Sequence, residues 1–261
     1  LLLRLSIPAI IGMVIQALYN VVDSIYIGHL STEALSALTL AFPLQMILIA
    51  ISVGTGTGAN SLISRVLGKN NRCRANNIAE HVVIIAVIYG ILIGIVGFFF
   101  AEDLIGIFSN DRELIDMGTR YIRILMVGST ALFIPIIFNN ILRGEGNTFI
   151  PMVGMLIGAI INMILDPFLI FGIGIFPKLG VEGAAYATVI SRLISGIFIT
   201  KIILNGKNEV TLKLKEFDFD FDIFKELYQV GFPAMLMMFL SSFMIAGMNF
   251  IVAGYGTTAI A

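Results

Sequence analysis

The sequence predicts an all-α integral membrane protein: a six-helix transmembrane lobe followed by the first helix of a second, repeat-related lobe. Three observations predict it. Hydrophobic residues make up 58% of the chain and charged residues only 13%, with a mean hydropathy of +0.98; a soluble domain carries about 25% charged residues on the surface it shows to water. Seven apolar runs each approach the roughly 20 residues that cross ~30 Å of hydrocarbon as a helix. The seventh run repeats features of the first.

The first run, 7–28, holds Pro8 and a polar stripe. The second, 36–60, contains "GTGTG" at 54–58, which lies in a membrane run without βαβ context and so is not a nucleotide loop. The third and fourth occupy 78–100 and 119–141, the fifth 151–173, the sixth 181–204 and the seventh 230–254. Backbone groups in lipid must be satisfied internally, and barrel-type alternation is absent, so each run is a helix. The pairs Gly54 and Gly58, Gly90 and Gly94, and Gly154 and Gly158 are GxxxG spacings that admit close helix packing. Cys73 is the single cysteine, which excludes an intrachain disulfide and a cysteine metal site. A net charge of −1 gives no footprint for nucleic acid.

Basic residues set the expected orientation. Arg65, Lys69, Arg72 and Arg74 follow the second run, Arg143 the fourth, and Lys201, Lys207, Lys213, Lys215 and Lys225 the sixth. The loop after the third run is acidic, with Glu102, Asp103, Asp111 and Glu113. The positive-inside rule then places the N-terminus in the cytoplasm of a multi-pass plasma-membrane protein.

Pro8-Ala9 aligns with Pro233-Ala234, and at the same offset Thr32 with Thr257 and Ala34 with Ala259; a one-residue shift brings Gly28 onto Gly254. Copies six spans apart run the same way through the membrane, the parallel-repeat arrangement of two-lobed transporters. The expected organisation is a six-helix lobe over 1–206, an inter-lobe linker over 207–229 and the first helix of a truncated second lobe over 230–261. The chain is expected to be a fragment of something longer. Within the linker, Asp218, Asp220 and Asp222 mimic the start of a calcium loop, but Ile223 stands where that loop needs glycine and Gln229 where it needs glutamate. A solvated amphipathic segment is expected instead.

The functional signal is acid at membrane depth. Gln16, Tyr19, Asn20 and Asp23 fall at i, i+3, i+4 and i+7, one face of a helix. An Asp in mid-span costs about 2.5–3.5 kcal/mol on insertion scales and usually marks an ion or substrate path. In the fifth run Asn162 and Asp166 share a face at i and i+4, and Pro167 follows and weakens the helix. Asp23 lies five residues before Gly28 and Asp166 six before Gly172, so at 1.5 Å per residue both sit roughly 8 Å below one membrane face. Two carboxyls at one depth in low dielectric resist double ionisation. Such a pair can accept a proton or hold a cation, a coupling site for H⁺ or Na⁺. Arg192 receives no role; Arg120 and Arg123 are expected to snorkel at the interface, and His29 and His81 to be solvated at span ends.

The ordered motifs "LRGEGNTFIPM" at 142–152, "INMILDPFLIFGIG" from Ile161 and "LGVEGAAYATVISRL" at 179–193 resemble the multidrug and toxic compound extrusion (MATE) family, as does the Pro8 … Asp23-x4-Gly28 pattern. Their style is closest to the bacterial DinF-like and MepA-like branches, and the likeness spans the whole chain. The resemblance implies a secondary antiporter of two six-helix lobes that expels amphipathic, often cationic drugs in exchange for H⁺ or Na⁺ and acts as a monomer in the lipid, with no cofactor beyond the coupling ion and no nucleic-acid partner. Residue by residue it implies that Asp23, Asn162 and Asp166 are the cation-coupling set, and would hold Na⁺ if the coupling ion is sodium. Tyr121 and Thr188 extend that polar network, and Gln16, Tyr19 and Asn139 are cavity groups; Asn20 is counted with them from its place on the stripe. Some branches carry an acid on the seventh helix, where 230–254 has none.

Three other readings compete. A lipid-linked oligosaccharide flippase of the same superfamily wants a basic cavity for a phosphate head, whereas the mid-span charges here are mainly acidic. A seven-helix receptor or photoreceptor would match seven spans, but a retinal protein needs a Lys in its last helix, where 230–254 contains none, and the repeat counts against a receptor. A membrane enzyme needs a nucleophile–base grouping or metal spacing at membrane depth, and none is visible in the sequence.

Overall fold

The computed structural model describes residues 2–205, 208–212 and 217–253, and every regular element among them is a helix. They are α1 (Leu2–Gly28), α2 (Thr32–Gly68), α3 (Arg72–Gly106), α4 (Arg112–Val127), α5 (Ser129–Gly144), α6 (Phe149–Phe171), α7 (Val181–Leu204) and α8 (Phe221–Ala253). Six of these are long and apolar enough to cross a membrane, and α4 with α5 passes the same test only as a pair, bent by 53°. The gaps fall where polar caps compete with the helix. Ser31 accepts from the Ala34 N–H, Asn71 from the Arg74 N–H and Asp111 from the Glu113 N–H; each satisfies a backbone donor that a helix start leaves orphaned.

The fourth apolar run, expected as one helix over 119–141, is broken at Gly128. A Cβ there would lie 2.6 Å from Val189 of α7, so α7 occupies the space a side chain would need. Beside it the Ser129 hydroxyl donates to the Gly90 carbonyl of α3 at 2.8 Å. Contact with α7 therefore sets the bend, and the Ser129 hydrogen bond to α3 braces it.

All three GxxxG pairs mark crossings. A Cβ on Gly54 would lie 2.9 Å from the Gly231 carbonyl, and one on Gly231 2.6 Å from the Gly54 carbonyl, so α2 and α8 meet backbone to backbone. Gly90 packs on Thr130 of α5, Gly94 on the Val127 backbone, and Gly154 and Gly158 on Ile199 and Ser195 of α7. Ser195 seals the last crossing by donating to the Gly154 carbonyl at 2.7 Å. Around these contacts Leu62, Ile63, Ile78, Ile122, Phe133 and Ile141 fill a continuous core. Ile91, Phe98 and Phe99 on α3 and Met237, Leu240 and Phe243 on α8 are exposed, as lipid-facing or partner-facing residues are.

The connection from α7 to α8 departs from the solvated segment expected. Glu145 accepts from the Glu209 and Val210 N–H groups. Asn76 accepts from the Thr211 N–H at 2.9 Å and donates to its hydroxyl at 3.0 Å. Arg72 pairs with Glu209, and Arg74 with Glu226. Val210, Ile223 and Leu227 are buried. Asp220 opens α8 by accepting from the Asp222 N–H at 2.9 Å, so the helix begins nine residues ahead of the apolar run that starts at 230. His81, expected at a solvated span end, is 1% exposed beneath Phe217 and Phe219. Its Nδ1 faces the Asn77 carbonyl and its Nε2 accepts from the Asp220 N–H at 2.8 Å, which fixes the neutral Nδ1–H tautomer. Pro8 and Pro233 both sit inside their helices, α1 and α8. The remaining repeat positions Gly254, Thr257 and Ala259, and Lys207, Lys213 and Lys215, lie outside the described residues.

Candidate functional site

Four helices build the site: α1, α4, α6 and α7. α6 packs between α1 and α7, and α4 lies against α7. The turn from α6 to α7 fixes their register. Gly172 ends α6 at φ 73, a left-handed conformation that favours glycine. The chain then folds back so that the Leu179 and Gly180 N–H groups donate to the Leu169 and Ile170 carbonyls. The first turn of α7 is thereby held against the last turn of α6, and Thr188 is carried into the lobe beside the acids.

Both carboxyls are buried inside the lobe. Asp166 and Asn162 are fully buried, and Asp23 is 8% exposed. Asn162 Nδ2 donates to Asp166 Oδ1 at 3.3 Å. Asp23 and Asp166 lie within Coulombic reach of each other, and both act on the buried Tyr121 hydroxyl of α4. Tyr19 and Thr188 share a hydrogen bond at 3.0 Å. Six expected residues, Tyr19, Asp23, Tyr121, Asn162, Asp166 and Thr188, are thus brought together from positions as far apart as 169 in sequence.

Three oxygens of this group, Asp23 Oδ1, Asn162 Oδ1 and Asp166 Oδ2, are buried without a hydrogen-bond donor. An unmet buried acceptor costs about 1–3 kcal/mol, and more when charged. Pro167 does not account for them: the carbonyl freed by its missing N–H needs a donor, and these atoms are acceptors. No ion pair among the described residues reaches Asp23 or Asp166; the basic partners of acids are Arg72, Arg74 and Arg120. The group consists of oxygens alone, suited to a proton or a hard cation. Among the described residues no cluster of three or more His, Cys, Asp or Glu could hold a metal ion.

Two expected cavity groups stand apart. Asn20 is exposed on α1, because the buried stripe there runs through Tyr19, Asp23 and Ile27 and leaves Asn20 at its edge. Asn139 is buried on α5 with its Oδ1 unpartnered. Gln16 accepts from Arg192 at 3.0 Å, and the Arg192 guanidinium lies over the Tyr19 ring, 5.3 Å from its centre. Sequence reasoning gave Arg192 no role; the available signal was its place one turn after Thr188 on α7. Arg120 is paired with Asp116 at 2.7 Å and Glu182 at 3.4 Å, so it does more than snorkel. A cavity of about 280 Å³ lies beside that cluster, lined by Leu30, Ser31 and Val181, and contains none of the expected site residues.

The family model described as MatE matches residues 8–168, which include both acids. The chain belongs to the MatE family. The multidrug export protein MepA of Staphylococcus saprophyticus is 28% identical over the whole chain, and that of Staphylococcus haemolyticus 29%. The chain spans 57% of the length of each. Among solved structures, an inward-facing multidrug resistance MATE family transporter of the MOP superfamily superposes with a TM-score of 0.89 at 32% identity, covering 99% of this chain and 58% of that one. A MOP superfamily transporter from Pyrococcus furiosus, described as having a binding pocket of reverse polarity, gives 0.84 at 34% identity over 90% of this chain and 52% of that one. The MatE lobe thus accounts for the architecture expected from the sequence, an all-α membrane bundle with one helix beyond six spans.

Proposed function

We propose that this chain is the ion-coupling half of a multidrug efflux antiporter, which exchanges amphipathic, often cationic compounds for H⁺ or Na⁺ by alternating access. The single observation that carries this reading is the set of three donorless buried oxygens on Asp23, Asn162 and Asp166. A proton on one carboxyl would relieve part of that deficit by turning an acceptor into a donor, and Na⁺ bound by the three oxygens would meet all of it. The likeness to MepA multidrug export proteins and to multidrug resistance MATE transporters supports drugs as the cargo. Gln16, Tyr19 and Asn20 on α1 and Asn139 on α5 are the cavity groups in this reading, with Tyr121 and Thr188 extending the coupling network. The basic ends of α2, α3, α5 and α7, carrying Arg65, Arg72, Arg74, Arg143 and Lys201, support a cytoplasmic location for that end in the plasma membrane.

Alternating access needs a second lobe, and α8 would be its first helix, hinged on α2 at the Gly54–Gly231 crossing. The test is resistance in cells that carry the complete protein. Asp23→Asn is expected to abolish drug export with insertion into the membrane unchanged. Full resistance in those cells would refute the assignment of Asp23.

A further inference from the structure

α1 and α7 form an antiparallel ladder. Gln16 pairs with Arg192 and, one rung on, Tyr19 pairs with Thr188. Asp23 follows Tyr19 by one turn along α1, and Arg192 follows Thr188 by one turn the other way along α7. The lobe is therefore layered, with carboxyls, then hydroxyls, then a guanidinium toward the basic end. Seven residues separate Gln16 from Asp23, so the guanidinium layer lies about 10 Å along the axis from the first carboxyl.

Arg192 is held there twice, by Gln16 Oε1 at 3.0 Å and by the face of Tyr19 at 5.3 Å. It belongs to no ion pair among the described residues, so its charge is not cancelled by direct contact. Beside it is a cavity of about 10 Å³, lined by Gln16, Tyr19, Gly158, Ser191 and Arg192. That is room for about one water. A cation moving along this ladder from the acids toward the basic end would pass this cavity, against a fixed positive charge. Fixed arginines exclude protons and cations from selective pores in the same way.

We propose that Arg192, stacked on Tyr19 and hydrogen-bonded to Gln16, is a positioned charge barrier that stops the coupling cation from passing through the lobe uncoupled. This rests on the antiport reading above and adds to it a residue that touches neither carboxyl. At an effective dielectric of about 20, a unit charge about 10 Å away changes cation occupancy roughly tenfold and a nearer one changes it more, so tenfold is the smallest effect expected.

The test uses the complete protein in proteoliposomes without organic substrate, with a trapped pH-reporting dye for H⁺ and radiolabelled Na⁺ for sodium. Arg192→Gln is expected to raise the substrate-free leak of the coupling ion at least about tenfold, and Arg192→Lys to keep it near the wild-type level. Gln16→Leu, which unties the guanidinium without removing it, is expected to raise the leak by a smaller factor. Equal leaks from the Gln and Lys variants would overturn the barrier and leave Arg192 a structural residue. Tight vesicles from Arg192→Gln, with exchange intact, would overturn it as well. Wild-type vesicles that fail to exchange dye under either ion gradient would instead refute the antiport reading on which it stands.

Discussion

Glu145 makes docking of the α7–α8 connection dependent on pH. It sits just beyond α5, and its carboxylate accepts from the Glu209 N–H at 3.2 Å and the Val210 N–H at 3.3 Å. Burial pushes its carboxyl up from 4.5 to about 7; the two N–H donors oppose the rise and the Glu209 charge adds to it. Glu209 is itself paired with Arg72. Because the docked state binds the proton more tightly than the free chain, the stabilisation is complete below 4.5 and is lost as pH rises through about 7. Unscreened, the shift is worth about 3 kcal/mol. Glu145 is only part-buried, and solvent screening leaves about 1 kcal/mol, a factor of about five in the opening equilibrium. The assay is amide hydrogen exchange over residues 208–212 at acid and alkaline pH, corrected for intrinsic rates. Protection should fall about fivefold from pH ~5 to pH ~8 in the wild type. In Glu145→Gln it should be flat and lower than the wild type in acid, because the amide turns an N–H toward one of the two donors. Protection that rises with pH in the wild type, or does not change, would refute the reasoning.

Three further outcomes follow from the packing. Gly54→Leu drives a branched side chain into the Gly231 backbone and should cost at least about 1–3 kcal/mol by overpacking, read as a lower melting temperature in detergent and as easier cleavage between α7 and α8. Tyr19→Phe removes one hydrogen bond to Thr188, worth about 1 kcal/mol; Thr188→Val should cost a similar amount, and the double variant little more than either alone, which a double-mutant cycle in thermal unfolding would show. Ser129→Ala removes the hydroxyl that bonds the Gly90 carbonyl, and should lower stability by about 1–2 kcal/mol while leaving the bend at Gly128, because Val189 still fills the space there.

How much was legible in the sequence depended on the range of the forces involved. Span positions follow from local hydropathy, so α7 begins and ends at the expected 181 and 204. α2 and α3 run past the expected 60 and 100 because their capped, charged ends stay helical beyond the apolar window. Helical periodicity placed Asp23 with Tyr19 and Asp166 with Asn162, and equal depth brought the two acids together. It could not decide the edge of the stripe, and Asn20 falls on the exposed side. The break at Gly128 depends on Val189 of α7, which no local pattern joins to it. The burial of His81 depends on an Asp220 backbone donor 139 positions away, and the role of Arg192 on Gln16, 176 positions away. Contacts of that span appear only once the helices have packed.

The central claim is that two buried acids couple an ion to export, and dye efflux from proteoliposomes of the complete protein tests it most directly. A pH gradient and a Na⁺ gradient are imposed separately, on the wild type and on Asp166→Asn. One gradient should drive efflux in the wild type, and that dependence should be shifted or lost in Asp166→Asn. Efflux indifferent to both gradients, or unchanged by the substitution, would contradict the account.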